Sequence, residues 1–431
     1  NIVTSYWIST IRDTVMRMHA PHIALLVTII TALGALLSSC SPADDTEPTS
    51  TTLTFWHFWS EPGQRAAVQE RVRLFEQETG VTVELTELSW NDGKAKLLAA
   101  FNAGTAPDVL ELGSDWVAQF SSAGVLMPLP TDSAAIARFV PYAIEPGKWS
   151  GRMYAYPWVV DTRVMYVNRG LLEKAGWNRP ITTMDDVLNA SELVRSTGTY
   201  GYGANGADAH RLYKKILPLF WTYSTQGGIL DANGNPTFAT PEHVRALEMY
   251  AALARTGYIE TQRQLDAAFL QGTIAFWNSG SWLIPKIKET PNLKAEAILM
   301  PGLDGNPGVS FAGGEYLAVN AATKSTQRAR ELVQFLTRGD QALAFCKAVP
   351  AAGFPADTST YQAPELISDP MKAVFARQLQ FARMTPVHPQ WLDLEAIIEE
   401  ATVKVLLGNA TPEKALKDAQ ADAEAIVRQR P

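Results

Sequence analysis

Residues 53–63 read Leu-Thr-Phe-Trp-His-Phe-Trp-Ser-Glu-Pro-Gly, and this stretch sets the pattern for the chain that follows. The aromatic-rich run that ends in Ser-Glu-Pro-Gly predicts a buried strand leading into the start of a helix. Val68, Val72 and Phe75 then recur at helical spacing. Gly80 stands where a left-handed helix end needs a glycine. The stretch therefore predicts a strand followed directly by an amphipathic helix.

The same alternation of strand and helix continues downstream. Residues 81–85 alternate apolar and polar side chains like a half-buried strand. A helix is predicted over 94–102, a strand over 107–112 and another helix from Asp115. Because this order is strand, helix, strand, helix, strand, it predicts an α/β fold with a mostly parallel sheet covered by helices.

The middle of the chain is more helical. Thr183 and Thr240 are typical helix caps, and short strands are predicted near 274–277 and 295–300. The C-terminus reads as two helices that are broken at Gly408-Asn409. About 390 residues follow the first forty, which is more than one hydrophobic core usually supports, so we expect two lobes.

The first forty residues have the features of an export signal. Arg12 and Arg17 precede an apolar run over 23–37, which is too short to span a bilayer as a helix. Leu37-Ser-Ser-Cys40 resembles the bacterial lipoprotein processing motif, which predicts a signal peptide over 1–39 and lipidation of Cys40. Residues 40–51 are polar and predict a flexible tether. The alternative is an ordinary secretory signal with a chance cysteine.

Composition excludes several classes of function. The net charge is −7, and loss of residues 1–39 would make it more negative, because two basic residues and one acidic residue would be removed. A negatively charged protein is repelled by nucleic acid and anionic lipid, so these are not expected partners. Cys346 is the only cysteine besides Cys40, so no disulfide is expected once Cys40 is lipidated. No His-x-x-x-His pair or cysteine cluster suggests a metal site, and we expect neither metal nor cofactor.

The order and spacing of several segments resemble a known family, the extracellular solute-binding proteins of the maltose-binding-protein type, which are family 1 of the ABC importer receptors. The segments that carry the resemblance are 53–59, 108–116, 154–168, 267–282, 313–320 and 411–420. No single segment is diagnostic, but together they cover nearly the whole chain after the tether.

The resemblance implies a type II periplasmic-binding-protein fold, with two α/β lobes, mostly parallel sheets flanked by helices, and a ligand cleft at the hinge. The implied lobes are 52–160 with 302–348, and 161–301 with 349–431. The chain would cross between lobes near residues 160–162, near Pro301-Gly302 and near Val349-Pro350. Closure of the cleft would then be a hinge motion that a ligand stabilises by touching both lobes.

Sugar binding requires flat aromatic surfaces for the apolar faces of a pyranose, with fixed carboxylates, amides and guanidinium groups for its hydroxyls. The chain has 12 tryptophans, several of them at predicted strand ends or loops. From these placements and the resemblance we predict the following ligand contacts: Trp59, Ser60, Glu61, Asp115, Trp116, Trp158, Asp161, Arg163, Trp277, Asn278, Trp282, Gly313, Gly314, Glu315, Arg383 and Trp391.

Structural roles account for some of these residues equally well. They are helix capping or dipole pairing for Ser60 and Asp115, core packing for Trp59 and Trp277, and a hinge ion pair for Asp161 and Arg163. Trp282 is the aromatic platform that the resemblance favours most. Trp116 stands where the maltose-type protein has a basic residue, so the resemblance does not fix the particular sugar.

The predicted function is capture of a mono- or oligosaccharide by an exported, lipid-anchored, monomeric receptor that delivers it to an ABC permease and its ATPase. The resemblance implies those partners and no enzymatic activity. One alternative is a receptor for another polyhydroxyl or cationic solute. Another is a secreted glycoside hydrolase, which would need a carboxylate pair such as Asp115 and Glu315. No hydrolase signature or Gly-x-Ser-x-Gly elbow is present.

Overall fold

The structure is a computed structural model that describes residues 52–131, 133–224, 228–361 and 363–428, apart from the side chains of residues 133, 365 and 367. The predicted signal peptide, Cys40 and the tether lie outside the described residues. Within those residues, no helix has the length and apolar character needed to cross a membrane.

Fourteen strands and sixteen α-helices are assigned in the described residues. The strands are β1 Thr52–His57, β2 Thr82–Glu87, β3 Val109–Gly113, β4 Lys148–Trp149, β5 Arg152–Met153, β6 Ala155–Thr162, β7 Val164–Asn168, β8 Tyr200–Asn205, β9 Tyr258–Glu260, β10 Ile274–Ser279, β11 Ala295–Ile298, β12 Ser310–Val319, β13 Phe354–Pro355 and β14 Ala382–Arg383. The helices are α1 Pro62–Thr79, α2 Gly93–Ala103, α3 Val117–Ser122, α4 Ser133–Ala137, α5 Arg169–Lys174, α6 Met184–Ser196, α7 Tyr213–Tyr223, α8 Pro241–Thr256, α9 Gln262–Leu270, α10 Leu283–Lys288, α11 Thr326–Leu336, α12 Gly339–Ala348, α13 Pro364–Ile367, α14 Pro370–Gln378, α15 Trp391–Leu406 and α16 Pro412–Arg428.

The first sheet has the strand order β13-β6-β12-β3-β1-β2, and β14 pairs with β12 at its side. β1 runs parallel to β2 and to β3, with Phe55 opposite both Leu85 and Val109. This confirms the parallel pairing predicted from the strand and helix alternation. β12 is antiparallel to β3 and β6, so the complete sheet is mixed.

The second sheet has the order β11-β7-β10-β8-β9. β8 pairs in parallel with β10 and β9, and β7 is antiparallel to β10 and β11. Helices α6, α8 and α9 pack on its strands. The chain thus forms two α/β lobes, one around each sheet, as the fold prediction required.

The predicted helix caps are present, except that the N-cap of α1 is one residue later than expected. Thr183 and Thr240 cap α6 and α8 as predicted, because their side chains accept hydrogen bonds from the backbone three residues on. Gly80 closes α1 in the left-handed region at φ 72°. The N-cap of α1 is Glu61 and not Ser60, since Glu61 N–H donates to the Gln64 side chain at 3.3 Å. Pro62 therefore occupies the first helical position.

The passage from the first sheet to the second is one buried extended segment. Every residue of β6 and β7 is buried, and only Arg163 separates the two strands. Along β7, Val164 and Tyr166 join the hydrophobic cluster that contains the core of the first lobe, whereas Met165 and Val167 join the second cluster. Because successive side chains point to opposite faces of a strand, this segment connects the two cores directly.

Contacts with both lobes are found near the other two predicted crossings. Gly302 O accepts from Met184 N at 2.8 Å, so residue 302 still contacts a helix of the second lobe. Pairing of β12 with β6 begins at Ala312, which places the return to the first sheet at about residues 310–312. β13 pairs with β6, so contact with the first sheet continues past Val349-Pro350. The lobe limits beyond these strand pairings stay predictions.

Replacing Gly314 by alanine should destabilise the protein. A Cβ at this position would lie 2.5 Å from the carbonyl oxygen of Val159, where β12 passes β6. Forcing a methyl group into a closed contact costs about 1–3 kcal/mol, measurable as a lower free energy of unfolding in urea. The matched control is Gly63→Ala in α1, where a Cβ meets nothing within 4 Å. Equal stability of the two variants would contradict the close approach of β6 and β12.

Candidate functional site

An aromatic wall lies at the carboxyl ends of the three parallel strands of the first lobe. We define it as Phe58 after β1, Trp90 after β2 and Trp116 after β3. Phe58 stacks on Trp90 with centroids 4.2 Å apart, and both rings contact Trp116 within 5.6 Å. Trp90 is 41% exposed, so the wall presents an aromatic face to solvent.

Trp116 was predicted from the sequence, whereas Trp90 was not. The signal for Trp90 was the one used for Trp59 and Trp116, namely an aromatic residue just past the end of a strand. Because carboxyl ends of parallel strands meet at one edge of a sheet, the turn after β2 belongs beside the turns after β1 and β3. The Lys94 ammonium also lies 5.5 Å from the ring centre of Trp116.

Trp59 and Trp158 lie in the core of the first lobe. Trp158 is fully buried and stacks on Phe345 at 4.5 Å, and Trp59, 7% exposed, packs edge-on against the same ring at 5.0 Å. Both indole N–H groups are buried without a hydrogen-bond partner in the described structure. Packing accounts for their positions, and their contact with a solute stays a prediction.

In the second lobe, Trp277 and Trp282 share one carboxylate. The indole N–H groups of Trp277 and Trp282 donate to Oδ1 and Oδ2 of Asp266, at 2.7 and 2.9 Å. Trp277 is fully buried, whereas Trp282 is partly exposed. The Trp282 ring packs directly against Gly280. A Cβ at position 280 would lie 1.9 Å from the ring, so this packing requires glycine. Trp282 is therefore the tryptophan of this pair that a solute can reach.

Arg163 connects the crossing segment to Trp282. Its guanidinium donates to Asp161 Oδ2 at 2.7 Å and lies 4.5 Å from the ring centre of Trp282. Ser281 Oγ donates to the other oxygen of Asp161 at 3.3 Å. The hinge ion pair considered from the sequence is therefore present, and it also supports the predicted aromatic platform.

The start of α7 in the second lobe is hydrogen-bonded to the first lobe. Tyr213, at the start of α7 in the second lobe, donates its hydroxyl to Asp115 Oδ2 at 3.2 Å. Arg211 Nη2 donates to Asn91 Oδ1 at 3.5 Å, next to Trp90. Asp115 precedes α3, which begins at Val117 with Trp116 as its N-cap, so its carboxylate does not cap that helix. It instead faces the second lobe.

Carboxyl groups are concentrated at the base of the site. Burial, and after it the neighbouring Asp161, raise the pKa of Glu315 to about 8 against the opposing effects of Arg163 and Lys214. Burial and then Glu315 raise the pKa of Glu111 well above its usual range. Burial also raises the pKa of Asp161, against the effect of Arg163. At neutral pH this group therefore holds protons that can be donated in hydrogen bonds.

Beside Asp115 is a second polar group that the sequence analysis did not include. The backbone of His210 lies in the left-handed region at φ 62°. Its backbone N–H donates to Glu399 at 2.8 Å, and its ring nitrogen Nδ1 forms a hydrogen bond with Glu395. Burial raises the pKa of Glu395 to about 7 despite the opposing effect of its hydrogen bond with His210. A non-glycine residue in this region is uncommon and often marks a functional site.

The remaining predicted contacts are dispersed. Ser60 and Glu61 are exposed at the start of α1. Gly313 and Gly314 lie on β12, next to Glu315. Asn278 is 1% exposed and its carbonyl accepts from Lys215 Nζ at 2.7 Å. Trp391 is 1% exposed and packs edge-on against Tyr213. Arg383 is exposed on β14, opposite Phe311. Their roles in binding stay predictions.

The arrangement suits recognition of a polyhydroxyl solute. The aromatic wall and Trp282 offer apolar faces, while Asp115, Tyr213 and Glu315 offer groups that exchange hydrogen bonds with hydroxyls. No group of three or more His, Cys, Asp or Glu side chains within the described ranges is placed to hold a metal ion.

Two α/β lobes joined by crossing strands, with aromatic and acidic side chains facing each other at the junction, define the class of hinged binding proteins. The chain belongs to the bacterial extracellular solute-binding protein family, whose model matches residues 70–374. That match covers well over half of the sequence, including most of both sheets.

Individual relatives and structures agree with this assignment. A Brucella abortus protein named for binding, without a stated ligand, is 26% identical over 382 residues, covering 84% of this chain and 89% of that protein. The galactooligosaccharide-binding protein of Bacillus subtilis is 22% identical over 377 residues, covering 84% and 86%. The GacH receptor of Streptomyces glaucescens, solved unliganded and with acarbose, has a TM-score of 0.76 at 24% identity and covers 88% of this chain and 99% of its own.

Replacing Glu315 by glutamine should reduce the pH dependence of stability. The folded pKa of about 8 lies above the ordinary value of 4.5, so Glu315 stabilises the fold fully below about pH 4.5 and this contribution is lost as the pH rises through 8. When the pH is raised from 5 to 8.5, the loss of unfolding free energy in the variant should be smaller than the loss in the wild type by at least about 1 kcal/mol. Urea unfolding at both pH values, with the exposed Glu84→Gln as control, measures this. Parallel losses in wild type and Glu315→Gln would contradict a buried, protonated Glu315.

Proposed function

We propose that this protein captures a sugar between its two lobes and delivers it to the permease of an ABC importer. The observation that carries the proposal is the hydrogen bond from Tyr213 to Asp115 across the lobes, together with the accessible aromatic rings of the aromatic wall on the first lobe and of Trp282 on the second. A solute placed there touches both lobes, which is the condition for a ligand to stabilise closure.

The chemistry of the site favours a sugar over other small solutes. A pyranose ring packs its C–H face on an aromatic ring and exchanges hydrogen bonds through its hydroxyls. Trp90 and Trp282 supply such rings, and Asp115 supplies a carboxylate. The names of related proteins support this choice, since one binds galactooligosaccharide and another was solved with acarbose.

Binding without chemical turnover is part of the proposal. Membership of a solute-binding family supports it. A glycosidase would need one carboxylate as acid and a second as nucleophile or base on opposite sides of the scissile bond. The printed names of related proteins, which are binding proteins and a receptor, also support binding and not cleavage.

We also propose that the protein is exported, acts as a monomer and is held at the membrane by lipid on Cys40. The extracellular family supports export. The apolar run over 23–37, the Leu-Ser-Ser-Cys sequence and the polar tether support lipidation. The tether would keep the binding lobes close to the permease.

Sugar binding should raise the thermal unfolding midpoint of the purified exported protein. A ligand at about 100 times its dissociation constant adds about 2.7 kcal/mol, which shifts the midpoint by several degrees. Asp115→Asn, Trp90→Ala and Trp282→Ala should each weaken binding of that sugar about tenfold or more by calorimetry. The control is Tyr200→Ala, an exposed aromatic residue at the opposite end of the second sheet.

The screen should include mono- and oligosaccharides, with sugar alcohols and polyamines as other solutes. A shift with one class of sugar, with the sugar recovered intact, supports the receptor. A shift only with polyamines or other cations would show that the ligand is a cationic solute and not a sugar. Release of cleaved sugar would establish the hydrolase instead.

Cys40→Ala should release the protein from the membrane. The thiol of Cys40 is the proposed attachment point of the lipid, so its loss should move the protein from the membrane fraction to the soluble exported fraction of a bacterial host. Labelling with a radioactive fatty acid should be lost at the same time. Cys346→Ala is the matched control, because Cys346 is a buried free thiol. Continued labelling of Cys40→Ala would refute the anchor.

A further inference from the structure

The start of α7 is held by a carboxylate from a helix far along the chain. Leu212, the N-cap of α7, provides no side-chain hydrogen bond. Glu399 of α15 takes that place: its Oε1 accepts from the backbone N–H of Tyr213 at 3.0 Å, and its Oε2 accepts from the backbone N–H of His210 at 2.8 Å. A carboxylate at a helix N-terminus satisfies open N–H groups and opposes the helix dipole. Both oxygens of Glu399 therefore fix the inter-lobe turn, which we define as residues 210–213.

The inter-lobe turn contains a strained residue that α15 also holds. His210 has φ 62°, a conformation that a non-glycine residue keeps only where its surroundings enforce it. Besides the bond from its backbone to Glu399, its ring is hydrogen-bonded to Glu395, one helical turn earlier on α15. Without these two carboxylates, the backbone at His210 would be free to relax.

The ring of Tyr213 is fixed by the same helix. Tyr213 is fully buried, and its ring packs edge-on against Trp391, the first residue of α15, at 5.7 Å and against Phe311 at 5.8 Å. Its hydroxyl donates to Asp115 Oδ2 on the first lobe. Helix α15 thus holds both the backbone and the ring of the residue that makes this contact between the lobes.

The contact between Tyr213 and Asp115 leaves little tolerance for displacement. At 3.2 Å it is already long for a hydrogen bond between two oxygen atoms. Asp115 is confined on its own side, because a Cβ at Gly113 would lie 2.7 Å from its Oδ1. The carboxylate of Asp115 therefore cannot follow a hydroxyl that moves away, and the bond depends on where the inter-lobe turn is placed.

The electrostatics of Glu399 agree with this role. Glu399 is 7% exposed. Burial raises the pKa of Glu399, and the backbone N–H groups of Tyr213 and His210 oppose that rise because they stabilise the charged carboxylate.

We propose that Glu399 is a positioning residue that sets the affinity for the captured sugar without touching it. It acts through the inter-lobe turn, which carries the Tyr213 hydroxyl to Asp115 when the lobes are together. The inference rests on the proposed function and adds the C-terminal helix α15 to the machinery of closure.

Matched substitutions on α15 test the inference in the purified exported protein. Glu399→Gln keeps the shape of the side chain but turns one of its two acceptors into a donor. It should weaken binding of the sugar identified by thermal unfolding about tenfold, because a charged acceptor of two buried N–H groups is lost. The dissociation rate should rise by the same factor and the association rate should stay within about twofold, since closure follows encounter. Stopped-flow and calorimetric titrations measure these quantities.

The control is Glu400→Gln, the same substitution at the next residue, whose exposed carboxylate pairs only with Lys404 among the described residues. It should bind the sugar like the wild type. An equal loss of affinity in Glu400→Gln would overturn the inference.

A double-mutant cycle separates positioning from a general loss of stability. Tyr213→Phe removes only the hydroxyl and should weaken binding to a similar extent. In that background, Glu399→Gln should cost less than about twofold further, because residues that act through one contact are not additive. Full, additive losses would overturn the inference, and so would an unchanged affinity in Tyr213→Phe. Urea unfolding checks that each variant is folded.

Hydrogen exchange in the free protein provides a readout that needs no sugar. The backbone N–H groups of His210 and Tyr213 should exchange at least about tenfold faster in Glu399→Gln, and those in Tyr213→Phe should stay slow, because the latter variant keeps both bonds to Glu399. Unchanged exchange in Glu399→Gln would overturn the inference. No binding of any sugar by the wild-type protein would instead refute the proposed function, whereas the exchange rates decide separately whether Glu399 holds the inter-lobe turn.

Discussion

The fold depends on one buried extended segment, residues 155–168, that passes from the first sheet to the second with a single residue between its strands. That residue is Arg163. A guanidinium buried at a junction needs a partner, and Asp161 supplies it at 2.7 Å while Trp282 covers it. The ion pair therefore holds the segment where the lobes meet and places the exposed aromatic ring of the second lobe at the same point.

Two kinds of chemistry surround this junction. On the first lobe, the ends of three parallel strands bring Phe58, Trp90 and Trp116 together, although about 30 residues of sequence separate each from the next. Below them, burial raises the pKa values of Glu111 and Glu315 because a charged carboxylate is poorly solvated there. The result is a site that can both donate and accept hydrogen bonds at neutral pH.

The sequence by itself determined the alternation of strands and helices that predicts parallel pairing, the caps at Thr183 and Thr240, and the family resemblance, because helix ends and strand periodicity depend on neighbours within a few residues. It also placed Asp115, Trp116, Trp282 and Arg163 in the site. Only the tertiary structure brought Trp90 beside Trp116 and Tyr213 within hydrogen-bond distance of Asp115, and only the tertiary structure showed that Trp158 and Trp391 are buried. Those outcomes depend on contacts between residues far apart in the chain, such as the 98 positions that separate Asp115 from Tyr213. No local pattern specifies such contacts, because they arise only when two separately formed sheets pack against each other.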